Sequence, residues 1–235
     1  MLSIVGDVDA KTTIEKVRKA FESIPSQPAP PKVDTAEPPQ TAERRVTLDD
    51  PLARLPRIDV AYHRPDMASP DEEALSVLAT VLSSGRSSRF FQAIVREKQL
   101  APNVSAGSGS GRGPGLFRVV GTAAPGKTLD VLEAAIYEEI EKVKTGPIAD
   151  WEMEKARNNA TRGVVSGLTS SLQRAIQLGD YALAFDDPGR INTRIERIAK
   201  VTAADVQRVA RQYLTQENRT VVLTVQKPAA PKGGL

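Results

Sequence analysis

The chain has 235 residues, of which 40% are hydrophobic and 26% are charged, the ordinary mix of a globular domain. It contains no cysteine and a single histidine, His63. This composition excludes disulfides, thiolate catalysis and cysteine-bound metal, and it leaves too few ligands for a self-contained zinc site. The net charge of +3 comes from basic residues interleaved with acidic ones, and only 4% of residues are aromatic. Nucleic-acid binding is therefore not expected.

The sequence contains neither a candidate membrane-spanning segment nor a recognisable signal peptide. No apolar run approaches the roughly 18 residues that a membrane span requires. The first residues, MLSIVGDVDAKTT, lack both the basic and the long apolar stretch of a signal peptide. The compartment therefore stays open, and a longer precursor with a signal would place the protein in the periplasm or elsewhere in the bacterial envelope.

The chain begins with a strand–helix unit, which is followed by a proline-rich stretch. Residues 2–6 predict a short strand, and Ile14, Val17 and Phe21 then recur at helical spacing. Residues 25–40 are rich in proline and predict an extended linker. We therefore divide the chain into four parts. They are the strand–helix unit (1–24), which is called the remnant below, a linker (25–40), a main domain (41–227) and a polar tail (228–235).

The main domain groups its strands early and its helices late. Ser69 and Pro70 form a typical helix start, with a serine N-cap and proline at the first position. Trp151 is expected to be a packing anchor at the start of a later helix. Further patterns predict strands at 44–48, 58–63, 104–106, 116–121 and 220–225, and helices at 69–85, 87–98, 127–144, 147–166, 171–185, 188–200 and 202–214. This order predicts an α+β fold, a mainly antiparallel sheet with helices packed on one face.

A glycine-rich segment lies between two of these strands. The sequence SAGSGSGRGPG (residues 105–115) could be mistaken for a phosphate-binding loop. It does not precede a helix and lacks the Gly-Lys-Ser/Thr ending of such loops, so a hairpin connection is expected instead.

Four motifs, in this order along the chain, resemble the insulinase/pitrilysin family of zinc metallopeptidases, the inverzincins. IVGDVD followed by FESIP is similar to the segment that closes the first half of such a protein. The others are SSGRSSRFFQAIVREKQLA (83–101), GPIADWEMEKARN (146–158) and IERIAKVTAADVQRVARQYL (195–214). Together they resemble the second half of the family, preceded by the end of the first.

The resemblance implies a clamshell of two homologous halves that closes over an unfolded peptide. In the family, the first half carries H-x-x-E-H and a distal Glu, which supply three zinc ligands and a base for the attacking water. A chain with one histidine cannot supply this motif. The resemblance therefore identifies this chain as the inactive, C-terminal half. It implies that the chain holds no cofactor and that zinc is bound by a missing partner half.

The resemblance also suggests site residues. Arg96 matches an arginine with which the second half reaches into the active site, where it could bind substrate carbonyls or an oxyanion. The alternative is an ordinary arginine near a helix C-terminus. The family's partner tyrosine is not matched, because Pro102 and Asn103 stand in its place and the segment is one residue short. Arg89 is a second candidate for substrate binding. The expected role of this residue is, however, to anchor the turn between two helices rather than to contact substrate.

Two functions remain open at this point. The chain is either the substrate-cradling half of a peptidase, or a non-catalytic scaffold or assembly subunit related to these enzymes. Its expected partners are the zinc-binding half of the same or a sister protein, an extended peptide bound at a sheet edge, and in a homo-oligomer a second copy of itself.

The ligand count predicts that the purified chain binds no stoichiometric zinc and cleaves no peptide. Metal analysis by plasma mass spectrometry of the chain and of a His63→Gln variant tests this expectation. One zinc per chain that disappears in the variant would contradict it.

Overall fold

The computed structural model of the chain describes residues 1–28, 31, 37–109, 111 and 113–226. Part of the expected linker and the whole expected tail lie outside these residues, so the division of the chain stays a prediction. None of the helices in the described part is long and apolar enough to cross a membrane.

Five strands form one sheet in the order β1–β5–β2–β4–β3. Pairs β2–β4, β2–β5 and β3–β4 are antiparallel, whereas β1 and β5 are parallel. The expected mainly antiparallel sheet is confirmed, and the parallel pair is an addition to it. The strands are β1 (Arg44–Asp50), β2 (Arg57–Arg64), β3 (Asn103–Gly109), β4 (Gly115–Thr122) and β5 (Arg219–Gln226).

Helices precede and connect these strands. They are α1 (Ala10–Phe21), α2 (Glu72–Ser83), a π-helix (Phe91–Glu97), α3 (Leu129–Thr145), α4 (Asp150–Thr169), α5 (Ser171–Phe185), a 3₁₀-helix (Pro188–Thr193), α6 (Arg194–Lys200) and α7 (Ala203–Tyr213). The boundaries of most predicted helices hold within a few residues. The predicted helix at 188–200 is a 3₁₀ turn followed by α6.

The core lies between one face of the sheet and α2, α3 and α7. On β2, Ile58, Val60 and Tyr62 alternate with polar residues and are fully buried, as the period of two requires. Helix α3 approaches the sheet closely at Gly121, where an added Cβ would stand 3.3 Å from Leu132. The helices fill this face with apolar residues at helical spacing: Leu75, Leu78, Leu82, Leu132, Ile136, Ile140, Val206 and Val209.

An ion pair fixes the edge strand β1 to α3. The guanidinium of Arg45 donates two hydrogen bonds to Glu133, at 3.0 and 2.5 Å, and a third at 2.9 Å to Glu43. Burial raises the pKa of Glu133, but the bonds from Arg45 and Tyr137 outweigh burial and hold that pKa below its usual value. Arg219 on β5 also binds Glu43, at 2.5 Å, so β1, β5 and α3 are joined by one polar cluster.

The N-terminal remnant differs from its prediction. Residues 2–6 form no strand, and no strand within the described part of the chain pairs with them. Helix α1 is formed, with Asp9 as its N-cap accepting from the backbone N–H of Thr12 at 2.8 Å. No residue of α1 is buried, and the apolar side chains of Ile14 and Phe21 are each 53% exposed.

Two expectations about helix starts were wrong. Helix α2 begins after Asp71 rather than after Ser69, whose hydroxyl accepts from the backbone N–H of Asp71 at 3.2 Å. The Asp71 carboxylate binds α7 instead of capping its own helix, through Tyr213 and Arg208 at 2.7 Å each. Trp151 is not a packing anchor, since it is 55% exposed at the start of α4.

The predicted helix at 87–98 contains a π-helix with an unusual exit. The N–H of Lys98 donates to the carbonyl of Ala93, five residues back, which marks an extra residue within the helix. The next residue, Gln99, has φ of +50°, a left-handed conformation that glycine adopts without steric cost. The π-helix therefore has one more residue in its hydrogen-bonded turn than an α-helix has. The left-handed conformation of Gln99 then turns the chain toward β3.

Replacing Gln99 with glycine should stabilise the fold. The substitution removes a left-handed penalty of about 1–2 kcal/mol and adds a glycine entropy cost of about 0.5–1 kcal/mol, so we expect a net gain of about 0.5 kcal/mol. Lys98→Gly is the matched control, because Lys98 has φ of −80° and should lose stability. Urea unfolding of the three proteins measures the difference, and equal losses in both variants would contradict the strain argument.

Candidate functional site

The segment with the strongest family resemblance, residues 83–101, forms a turn, the π-helix and the connection to β3. Gly85 has φ of +74°, and the buried hydroxyl of Ser88 donates to its carbonyl at 2.7 Å. The backbone N–H of Ser88 binds the same carbonyl at 3.1 Å. The turn that precedes the π-helix is therefore closed by its own hydrogen bonds.

Arg89 anchors this turn to the start of α4. Its guanidinium donates to both carboxylate oxygens of Glu152, at 2.8 and 2.9 Å, and to the carbonyl of Pro147 at 2.9 Å. Burial raises the pKa of Glu152, but the bonds from Arg89 and from the N–H of Ala149 outweigh it and lower that pKa below its usual value. This geometry accounts for the anchoring alternative, while a substrate contact for Arg89 stays a prediction.

Arg96 lies near the end of the π-helix and is exposed. One guanidinium nitrogen, Nη1, donates to Oε1 of Gln92 at 3.0 Å. No other acceptor within the described residues binds Arg96. The remaining N–H groups of this guanidinium are thus available to an acceptor that comes from outside, such as a peptide carbonyl.

Strand β3, which follows Arg96 in the chain, is an edge strand with small side chains. Asn103, Ser105, Gly107 and Gly109 alternate along the face that carries no helices, and an added Cβ at Gly107 would meet nothing within 4 Å. The hydroxyl of Ser83 on α2 donates to the carbonyl of Ala106 at 3.0 Å, which holds the strand against that helix. An extended chain can therefore approach β3 without displacing bulky side chains.

A buried arginine that the sequence analysis missed holds the far end of β3. Arg64 is only 2% exposed, pairs with Glu72 at the start of α2, and donates to the hydroxyl of Ser108 at 2.5 Å and the carbonyl of Pro65 at 3.1 Å. The alternation of β2 places position 64 on the inner face and was the available signal. Arg64 therefore holds β3 in place from the helix-covered side of the sheet.

The tyrosine expected beside Arg96 has no substitute. Pro102 occupies its place, and proline offers neither a hydroxyl nor a backbone N–H. The four tyrosines of the chain are either buried or hydrogen-bonded to carboxylates elsewhere in the fold: Tyr62, Tyr137, Tyr181 and Tyr213. Arg96 is therefore the one polar group of the expected pair that this half can supply.

No metal-binding set is formed by the residues that the structure describes. His63 has its Nδ1 atom 4.0 Å from Glu37, and no group of three or more His, Asp or Glu side chains within the described residues could hold a metal ion. The residues present do not fit a catalytic zinc, which needs three protein ligands.

The helix-free face of the sheet is a second surface that the sequence analysis did not identify. A shallow groove there is lined by apolar residues such as Leu48, Leu116 and Val222. Asp59 lies between Arg57 and Arg118, with oxygen–nitrogen distances of 2.7 Å to each. Burial raises the pKa of Asp59, but the two guanidinium groups outweigh it and lower that pKa below its usual value.

Comparison with known proteins supports the resemblance. The family model described as Peptidase M16 inactive domain matches residues 1–160. The zinc protease PqqE of Helicobacter pylori is 26% identical over 221 residues, which are 93% of this chain and 50% of that protein. The chain thus spans about half the length of the curated relatives it matches.

Structural and more distant comparisons agree. The crystal structure of a protease from Helicobacter pylori superimposes with a TM-score of 0.86 at 26% identity, covering 94% of this chain and 54% of that one. Subunit 2 of the human mitochondrial cytochrome b-c1 complex is 25% identical over 155 residues, 63% of this chain and 34% of that protein. The match over most of the length, with motifs in the family order, shows that this chain belongs to the Peptidase M16 inactive domain family.

Proposed function

We propose that this chain is the substrate-cradling half of a zinc peptidase that acts on peptides. The observation that carries the proposal is the exposed guanidinium of Arg96, on the π-helix that precedes the edge strand β3 in the chain. The zinc ion and the residues that activate water belong to the preceding half of the same or a sister protein. The names of the zinc protease relatives, twice as long as this chain, support this division.

Peptide binding at β3 follows from the physics of sheet edges. An edge strand presents unpaired N–H and C=O groups, and an extended peptide that adds a strand satisfies them. Backbone pairing gives affinity with little sequence preference, which suits a protein that binds unfolded substrates. The glycines at 107 and 109 leave room for the peptide's own side chains.

Arg96 would act on the peptide through its free donors. A guanidinium close to the scissile bond can bind a substrate carbonyl and then stabilise the oxyanion that develops during attack. This contribution needs a zinc-bound water from the other half, so the present chain alone is expected to be inactive. Peptidase activity is proposed for the assembled protein only.

The remnant at residues 1–24 is proposed to belong structurally to the preceding half. Its apolar side chains are exposed here, among them Leu2 at 57%, Phe21 at 53% and Ile24 at 63%. A helix with an unburied apolar face normally packs against another element. The missing half is the partner that would cover it, and the main domain would then begin near residue 41.

A scaffold role is the second candidate. The human cytochrome b-c1 complex subunit among the relatives, together with Pro102 in place of the expected tyrosine, favours this alternative. A scaffold would keep the fold and the interface between halves and would not depend on Arg96.

Arg96→Ala separates the two candidates. In the enzyme assembled with its zinc-binding half, the substitution should lower kcat/KM by an amount equivalent to about 2–4 kcal/mol of transition-state stabilisation, because an oxyanion donor is lost. The thermal midpoint should stay nearly unchanged, since the side chain is exposed. Steady-state peptide hydrolysis and calorimetry measure both quantities.

The matched control is Arg174→Ala, which removes an exposed arginine from α5. It should leave kcat/KM and the thermal midpoint as they are. Equal kinetics for the wild type and the Arg96→Ala variant would reject the catalytic contribution and support the scaffold.

The remnant gives a separate prediction about association. The chain should self-associate more than a truncated chain that begins at Thr41, because the exposed apolar face of α1 lacks its partner half. Sedimentation velocity of the two proteins over a range of concentrations measures this. Strictly monomeric behaviour of both would show that the remnant needs no partner.

A further inference from the structure

The side chain of Gln92 joins Arg96 to the turn before the π-helix. Its Nε2 atom donates to the carbonyl of Arg86 at 2.5 Å, and its Oε1 atom accepts from Nη1 of Arg96 at 3.0 Å. Both ends of one amide are therefore used at the same time. Arg96 is connected through a single side chain to backbone six residues before Gln92.

The direction of the amide follows from its partners. A carbonyl can only accept, so the NH₂ group of Gln92 must face Arg86 and the oxygen must face Arg96. The turn that carries Arg86 is itself held, by the bonds of Ser88 and by the ion pair of Arg89 with Glu152. The Oε1 atom of Gln92, which accepts from Arg96, is therefore held in position relative to α4.

The π-helix brings these two residues onto one face. Gln92 and Arg96 are four residues apart, and in a helix with five-residue hydrogen bonds that spacing still places side chains next to each other. π-helical segments are rare and are found frequently at functional sites. Here the segment carries both the exposed arginine and the residue that restrains it.

From this geometry we infer that Gln92 is a positioning residue for Arg96. It holds the guanidinium so that the free N–H groups point toward the peptide, and it makes no contact with the peptide itself. An exposed arginine without such a contact samples many rotamers and loses more conformational entropy on binding. The inference rests on the proposed peptide-cradling function and adds a residue to it.

Two measurements on the intact chain test the role of Gln92. The first is NMR relaxation of the Arg96 Nε–H group, which should report greater mobility in Gln92→Met than in the wild type. The second is fluorescence anisotropy with a fluorescein-labelled, unstructured peptide of about ten residues, the length of a long strand. Gln92→Met should weaken binding about two- to tenfold, because the unrestrained side chain of Arg96 loses more conformational entropy when it binds the peptide.

A double-mutant cycle shows whether Gln92 acts through Arg96. Gln92→Met should have no further effect on peptide binding in the Arg96→Ala background. Gln92→Glu keeps an acceptor for Arg96 and should bind the peptide better than Gln92→Met. Gln212→Met is the matched control, because it removes another arginine–glutamine contact four residues apart, between Arg208 and Gln212 on α7. It should leave binding unchanged.

Different failures overturn different statements. If the wild type binds the peptide and Gln92→Met binds it equally well, with unchanged mobility of Arg96, the positioning role is wrong and the proposed function stands. If Gln92→Met weakens binding equally in the Arg96→Ala background, Gln92 acts on the fold rather than through Arg96. If the wild-type chain binds no peptide at all, both the proposed function and the role of Gln92 fail.

Discussion

One-sided burial of the sheet is the constraint on which the rest of the structure depends. Helices cover the face that carries Ile58, Val60 and Tyr62, and the fully buried aliphatic side chains of Ile58 and Val60 contribute about 1.5–3 kcal/mol each. The other face has no helical cover within the described residues, so its apolar residues, such as Val222 and Leu116, stay half-buried or exposed beside polar ones. The open face follows directly from this arrangement, and it and the two sheet edges are the surfaces that the proposed function assigns to a peptide or a partner half.

Ion pairs attach the two edge strands, β1 and β3, to the rest of the domain where apolar packing is sparse. Strand β1 has little buried apolar surface, and its attachment depends on backbone pairing with β5 and on the contacts of Arg45 with Glu133. Strand β3 is held in the same way by Arg64, whose buried charge is matched by Glu72. A buried charge that loses its partner costs about 3–5 kcal/mol, so the pair of Arg64 with Glu72 fixes the edge strand β3 firmly. The pair at β1 contributes less, because the side chain of Arg45 is partly exposed to water. Charged residues on β1 also discourage unwanted pairing at that edge.

Local chemistry explains which elements could be predicted from the sequence. Helix α7 was predictable, because Thr202 and Asp205 form a capping box that starts it whatever lies around it. The parallel pairing of β1 with β5 was not, since it joins segments about 175 residues apart and leaves no local pattern. The π-helix was missed because a helical spacing of apolar residues does not reveal one inserted residue. Of the proposed site, Arg96 was suggested by the resemblance and stays a prediction, whereas Gln92 could be proposed only from the hydrogen bonds of its side chain.

The N-terminal segment, residues 1–24, contains one element that needs a partner to form and one that does not. Residues 2–6 have strand-forming side chains but form no strand, because a single strand gains no cross-strand hydrogen bonds or side-chain pairs. Helix α1, in contrast, satisfies its own backbone and forms with its apolar side chains exposed. Under the proposed function, a sheet edge in the preceding half would convert residues 2–6 into a strand and cover α1 at the same time. Association of the halves and completion of the fold would then be a single event, and the proline-rich segment after α1 would mark where one half ends and the other begins.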